Sequence, residues 1–149
     1  MTENQSNKTI RVGVGAVVFR GDNVLLIKRG KPPMKGHWSI PGGGLDFGER
    51  ITAGVEREVF EETRCRINLL GLIDVFEAIP TKAEHSAFQH TVMIDYAAEW
   101  VSGEPQAGDD AWEAEFVPIK EAIERVSWDE TRRALTMAVE KRAEWAEKP

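Results

Sequence analysis

Between Ile10 and Phe19 the apolar residues Val12, Val14, Ala16 and Val18 alternate with Arg11, Gly13, Gly15 and Val17. A period of two is that of a β-strand with one face turned inward. Gly21-Asp22-Asn23 follows as a turn signal, and Val24-Leu25-Leu26-Ile27, closed by Lys28 and Arg29, reads as a second strand. Together they predict an antiparallel hairpin. Gly30 to His37 holds two prolines and several cations and reads as a loop before a short extended piece, Trp38-Ser39-Ile40. Pro41-Gly42-Gly43-Gly44 is expected to bar regular structure. Past it the period changes: Ile51, Ala53, Val55, Val59 and Phe60 recur at helical spacing, and Asp46 with Glu49 three residues on forms an Asp variant of the capping box. The expectation is a helix from about Glu49 to Thr63.

Arg66 to Ile79 and Ala87 to Trp100 are rich in β-branched and aromatic residues, with the polar segment Pro80 to Ser86 between them, which predicts two long paired strands. After a loop from Ser102 to Asp110, a short strand is expected near Glu115-Phe116-Val117. Pro118 is placed to open a short helix ending near Val126. Ser127 or Asp129 then caps a last helix that carries Leu135, Val139 and Arg142 toward a charged end. The pattern describes a flexible tail over residues 1–8 and one α+β domain over 9–146, with helices flanking a mixed sheet. Strand order is not specified by it.

Composition narrows the function. The chain has 149 residues, 42% of them hydrophobic and 30% charged, which suits one soluble domain able to bury its own core. No apolar run reaches the roughly 18 to 20 residues of a membrane span, and the polar start MTENQSNK lacks a signal-peptide core, so the expected location is the cytoplasm. Cys65 is the one cysteine, which excludes an intrachain disulfide and predicts a buried thiol. The net charge of −6 argues against capture of long nucleic acid, which needs a basic face. An acidic protein that handles phosphates needs cations in between, and this turns attention to its carboxylates.

Three carboxylates cluster in Arg57-Glu58-Val59-Phe60-Glu61-Glu62. On a helix, Glu61 and Glu62 lie about 60° to one side and 40° to the other of Glu58, so all three project from one face. Like charges so placed cost about a few tenths of a kcal/mol per pair in water and more when partly buried. An isolated glutamate triplet is most often a solvated helix face. Here Arg57 stands four before Glu61, Glu49 lies near the expected helix start, and a triple glycine precedes both. Hard oxygen ligands at this spacing suit magnesium or manganese, and magnesium keeps several waters and completes its shell with substrate phosphate.

Gly43, Glu49, Arg57, Glu58, Glu61 and Glu62 stand at the spacing of the Nudix signature: Gly, five residues, Glu, seven residues, Arg, Glu, an aliphatic, any residue, Glu, Glu. The chain strongly resembles this family of hydrolases. The resemblance extends to Trp38-Ser39-Ile40-Pro41-Gly42-Gly43 and to the flanking strand pattern. It implies an α/β/α sandwich and the magnesium-dependent hydrolysis of a phosphoanhydride in a nucleoside diphosphate linked to another group. It further implies that Glu58, Glu61 and Glu62 bind Mg2+ (or Mn2+) with the Gly42 carbonyl assisting, and that Glu49 pairs with Arg57. Two positions depart from the signature: Arg64 replaces its closing glycine and Cys65 its last aliphatic. If Arg64 must adopt the left-handed conformation that glycine allows, a side chain there costs about 1 kcal/mol.

Family members take the water's proton on a signature Glu, Glu61 or Glu62 here, or on a carboxylate from a distant loop. Asp109, Asp110, Glu113 and Glu115 are the loop candidates, with Glu115 slightly favoured. Arg29 is the cation best suited to bidentate contact with substrate phosphate, and Asp110 sits in a loop able to reach the substrate. His90 reads as structural, and the tryptophans as packing, with Trp112 a possible exception. Pro80 lies fifteen residues beyond Cys65, close to the position of a proline in ADP-ribose hydrolases of the family, which leans the substrate toward ADP-ribose or a similar nucleotide sugar. A nucleoside triphosphate pyrophosphohydrolase and a non-catalytic nucleotide-sensing module are the alternatives. A small nucleotide is the expected partner, a homodimer is open, and membrane and nucleic acid are not expected.

Overall fold

The computed structural model describes residues 9–32, 34–80 and 89–147. The tail 1–8 and most of the polar segment after Pro80 lie outside them. The strands are β1 (Arg11–Arg20), β2 (Asn23–Arg29), β3 (Trp38–Ser39), β4 (Gly42–Gly44), β5 (Arg66–Ala78), β6 (Thr91–Ser102) and β7 (Ala111–Pro118). The helices are α1 (Ile51–Thr63), α2 (Ile119–Arg125) and α3 (Asp129–Glu147). Strands β3, β2, β1, β6 and β5 lie in that order, with β4 on β1 and β7 on β2. The β1–β6 pair is parallel and the other pairs are antiparallel, so the sheet is mixed, as expected.

Both faces of β1 are covered, which is why Val17 and Val18 are equally buried. Val14, Ala16 and Val18 join Leu25, Val55, Val59 and Cys65 in a core beneath α1. Val17 and Phe19 join Val24, Leu26, Ala122, Leu135 and Ala138 in a second core beneath α2 and α3. Two helical layers around one sheet make the α/β/α sandwich. At roughly 1.5–3 kcal/mol per buried large aliphatic side chain, these cores dominate the folding energy.

Four sequence expectations change. Gly42–Gly44 is a strand after all: it pairs antiparallel with Gly13–Gly15, so close that a Cβ on residue 42 would run into the backbone of Val14. Its regularity comes from backbone approach rather than side-chain propensity. Helix α1 starts at Ile51, two residues later than expected, because Arg50 is extended and provides no side-chain cap. The Glu49 carboxylate does reach back to the Asp46 N–H at 3.0 Å, half of a capping box, but ahead of the helix. The strand expected near Glu115 extends over Ala111–Pro118, because all of it pairs with β2. Strand β6 starts at Thr91 and runs to Ser102, displaced from the expected 87–100.

Arg64 ends α1 with φ 65° and ψ 12°, the left-handed conformation foreseen for a non-glycine at this place. The carbonyls of Thr63 and Glu62 at the helix end accept the N–H groups of Gln106 and Gly108 at 2.9 and 3.1 Å. Those two bonds dock the loop before β7 onto the end of α1.

Candidate active site

The buried face of α1 carries Gly54, Val55, Glu58, Val59, Glu62 and Thr63. Spacings of three and four make the apolar stripe of an amphipathic helix, yet two of its positions hold glutamates. Glu58 is 9% exposed and Glu62 5%. Burial pushes both carboxyls up, Glu62 to about 8, and the charge of Glu58 adds to the effect on Glu62. Glu62 Oε1 accepts the Gly42 N–H at 2.7 Å. Residue 43 is glycine because a Cβ there would overlap the Glu58 carboxylate. Strand β4 thus lies directly against the two acids.

Arg57 is the hub. Its Nε and Nη2 donate to the two oxygens of Glu49 at 2.6 and 2.9 Å, and Nη2 also to the Gly44 carbonyl at 3.0 Å. Its Nη1 donates to Glu58 and Glu61 at 2.8 and 2.9 Å. This fork holds the Glu49 carboxyl down at about 2 and raises the guanidinium. One cation therefore ties the loop before the helix, the end of β4 and two acids of the helix into a single arrangement.

The donors are hard oxygens, two of them on buried carboxyls that resist ionisation as they stand, which fits a divalent cation. The cage is not closed. Among the described residues no group of three His, Cys, Asp or Glu side chains converges as a ready ligand set, because Arg57 draws Glu58 and Glu61 to itself. An ion that takes one or two carboxylates, waters and substrate phosphate needs no such cage.

The residues expected around this cluster divide. Asp109, left-handed at φ 52°, is near enough that its charge raises the pKa of both Glu58 and Glu62. Asp110 is paired with Lys31 at 2.5 Å. Glu113 lies by Lys28 at 3.6 Å. Glu115 stands opposite Leu26, whose side chain belongs to the core under α2 and α3, and is bonded to Arg125. It is not brought to the acids of α1. Arg29 lies at the end of β2, where its charge acts on Glu62 and Asp110.

Only the last two residues of β1 pair with β2. From there the strands part, and a solvent-open cleft with a cavity volume of about 190 Å³ lies between β1, β3, β4 and the start of α3. Its wall includes Arg29, Trp38, Gly42, Asp95, Trp128 and Thr131. Trp38 and Trp128 therefore line a cavity in addition to packing, while Trp112 is half exposed beside Lys35. Sequence reading missed Asp95 entirely. Its signal was a lone acid inside the apolar run Val92 to Ala98.

Residues 9–139 match the model of the NUDIX domain family. Over 108 residues the chain is 33% identical to a protein of Methanocaldococcus jannaschii described as an ADP-ribose pyrophosphatase, a match covering 72% of this chain and 62% of that one. The chain thus spans less than two thirds of that relative. The fold is similar to a MutT NUDIX hydrolase from Burkholderia pseudomallei, with TM-score 0.72, 30% identity, and coverage of 87% of this chain and 98% of the other. It is also similar to a bifunctional NMN adenylyltransferase/ADP ribose pyrophosphatase from Francisella tularensis complexed with AMP and a manganese ion, with TM-score 0.72, 27% identity, and coverage of 90% and 42%. With the match running through both helical layers and the acidic helix, this chain belongs to the NUDIX domain family.

Proposed function

We propose that the protein is a magnesium-dependent hydrolase that cuts a phosphoanhydride in a nucleoside diphosphate joined to a second group, with ADP-ribose or a similar nucleotide sugar as its substrate. The observation that carries this reading is the pair Glu58 and Glu62, buried in the apolar stripe of α1 against the glycines of β4. A helix that only had to pack would place aliphatic residues there. The named activity of the Methanocaldococcus relative supports the substrate class.

Glu58, Glu61 and Glu62 are the residues that would hold the metal, with Gly42 positioning Glu62 through its N–H and offering its carbonyl. Bound there, magnesium would neutralise phosphate oxygens and lower the pKa of the attacking water. Arg57 and Glu49 fix the acidic face so that its geometry is set before substrate arrives. Arg29, between the cleft and Glu62, meets a substrate phosphate. The proton of the water goes to a carboxylate at this end of α1. Asp109 replaces Glu115 as the loop candidate, because its charge reaches both buried glutamates whereas Glu115 is engaged by Arg125.

The test is turnover of ADP-ribose, other nucleotide sugars, dinucleoside polyphosphates and nucleoside triphosphates with and without magnesium, for the wild type and Glu62→Gln. Gln keeps an oxygen for the Gly42 N–H, so the fold is retained. Magnesium-dependent cleavage lost in the variant is the expected result. Preference for a triphosphate would move the reading to a pyrophosphohydrolase of the nucleotide pool, and binding without turnover to a sensing module.

A further inference from the structure

The floor of the cleft is opened by glycine. Gly13 and Gly15 of β1 stand opposite Met93 and Asp95 in the parallel register with β6. A Cβ on residue 15 would come within 3.0 Å of Asp95 Oδ1. With no side chain there, the carboxyl is left open to the cleft, whose wall it shares with Ile40, Trp38 and Trp128. Asp95 is 8% exposed.

The titratable groups on the elements around it are committed elsewhere. Arg11 donates to Gln89 at 3.2 Å, His37 is bonded to Ser127 at 2.8 Å, and Asp74, its neighbour on β5, accepts the Val75 N–H at 2.7 Å. The charge of Arg29 acts on Glu62 and Asp110. Among the described residues Asp95 has no hydrogen-bond or charge partner, and burial alone pushes its carboxyl up to about 7. A nearly buried carboxyl with no partner among the described residues, open to a cleft lined by apolar and aromatic side chains, is placed to recognise a polar group of a ligand there.

We propose that this cleft takes the nucleobase and that Asp95 is its specificity-determining residue, donating a carboxylic O–H to a basic ring nitrogen and accepting the N–H of the adjacent amino group. Adenine presents that edge. Guanine presents two adjacent N–H groups, which suit an ionised carboxylate instead. Arg29, shared by the cleft wall and the field of Glu62, lies on the path from base to phosphoanhydride. The inference rests on the nucleotide reading above.

Its test is calorimetric binding of AMP, GMP, purine riboside 5′-monophosphate and ribose 5-phosphate at pH 6 and 8.5 to the wild type, Asp95→Asn and Asp95→Leu. The monophosphates contain no anhydride, so binding is read apart from turnover, and ribose 5-phosphate corrects for titration of the phosphate. AMP should bind the wild type about tenfold tighter than the analogue without the amino group, and about tenfold or more weaker at pH 8.5 than at pH 6. Asp95→Asn, with a fixed donor and acceptor, should keep the affinity and lose the pH dependence. Asp95→Leu should bind AMP no better than the analogue. Unchanged AMP affinity in Asp95→Leu, or GMP preference that strengthens with pH and vanishes in Asp95→Asn, overturns the inference. Failure of the nucleotide reading shows separately, as absence of turnover for every nucleotide in the panel above.

Discussion

Asp95 is a single residue whose protonation ties binding to folding. Its ordinary value is 3.8 and burial moves it to about 7. Between those values the folded chain keeps a proton that the unfolded chain has released, so folding stability falls as pH rises through that window. Asp95→Asn removes the dependence. Thermal melts at pH 5 and pH 8 should show the variant gaining on the wild type as pH rises, by on the order of 2–4 kcal/mol across the window. A constant gap would mean that the buried carboxyl is ionised throughout. Arg64 is the second residue with a cost of its own. At φ 65° it pays for a conformation that glycine adopts freely, although its guanidinium lies 5.5 Å from the Phe60 ring. Arg64→Gly should stabilise by about 0.5–1 kcal/mol, a rise of roughly 2–3 °C in Tm for a chain of this length. An unchanged or lower Tm would show that the stack on Phe60 and the freedom glycine adds to the unfolded chain outweigh the relief.

At the scale of elements, strand β4 and helix α1 work as a pair, and two neighbouring glycines separate stability from chemistry. A methyl group at residue 42 meets the backbone of Val14, whereas one at residue 43 meets the Glu58 carboxylate. Gly42→Ala should therefore force the β1–β4 ladder apart and lower Tm. Gly43→Ala should displace an acid and reduce turnover by about tenfold or more while Tm changes little, since a removed buried charge offsets the crowding. Equal loss of Tm in both would show that β4 cannot move independently of the acids. The same pair shows what was legible in the chain. The glutamate spacing and Arg57 needed only helical geometry, so the acidic face was readable from residues 57–62 before any fold was known. Strand β4 was not, because its residues have no side chains and its regularity depends on β1, about thirty positions away in sequence. The position of Glu115, opposite Leu26 and bonded to Arg125, was not legible for the same reason. Period two correctly put Glu113 and Glu115 on one face, but which face meets α1 depends on the β2–β7 register, which local pattern does not contain. Asp95 was overlooked because a lone acid in a strand acquires meaning only when Gly15 is placed beside it.

For the molecule as a whole, whose net charge is −6, the proposed cation site on the acids buried against β4 would make folding and cation binding one equilibrium. The folded chain presents Glu58 and Glu62 together in a site of reduced dielectric, and the unfolded chain does not, so a divalent ion that binds there stabilises the fold by mass action. At a magnesium concentration about a hundred times its dissociation constant the gain is about 2.7 kcal/mol, or roughly 5–10 °C in Tm. The double variant Glu58→Gln, Glu62→Gln separates this from general screening, because its two effects have opposite signs. Without magnesium it should melt no lower than the wild type, since two buried acids that repel each other are gone. With magnesium, at ionic strength matched by sodium chloride, its Tm should stay where it was. A magnesium shift that survives in the double variant would place the ion elsewhere on the acidic surface and would remove α1 from the metal chemistry.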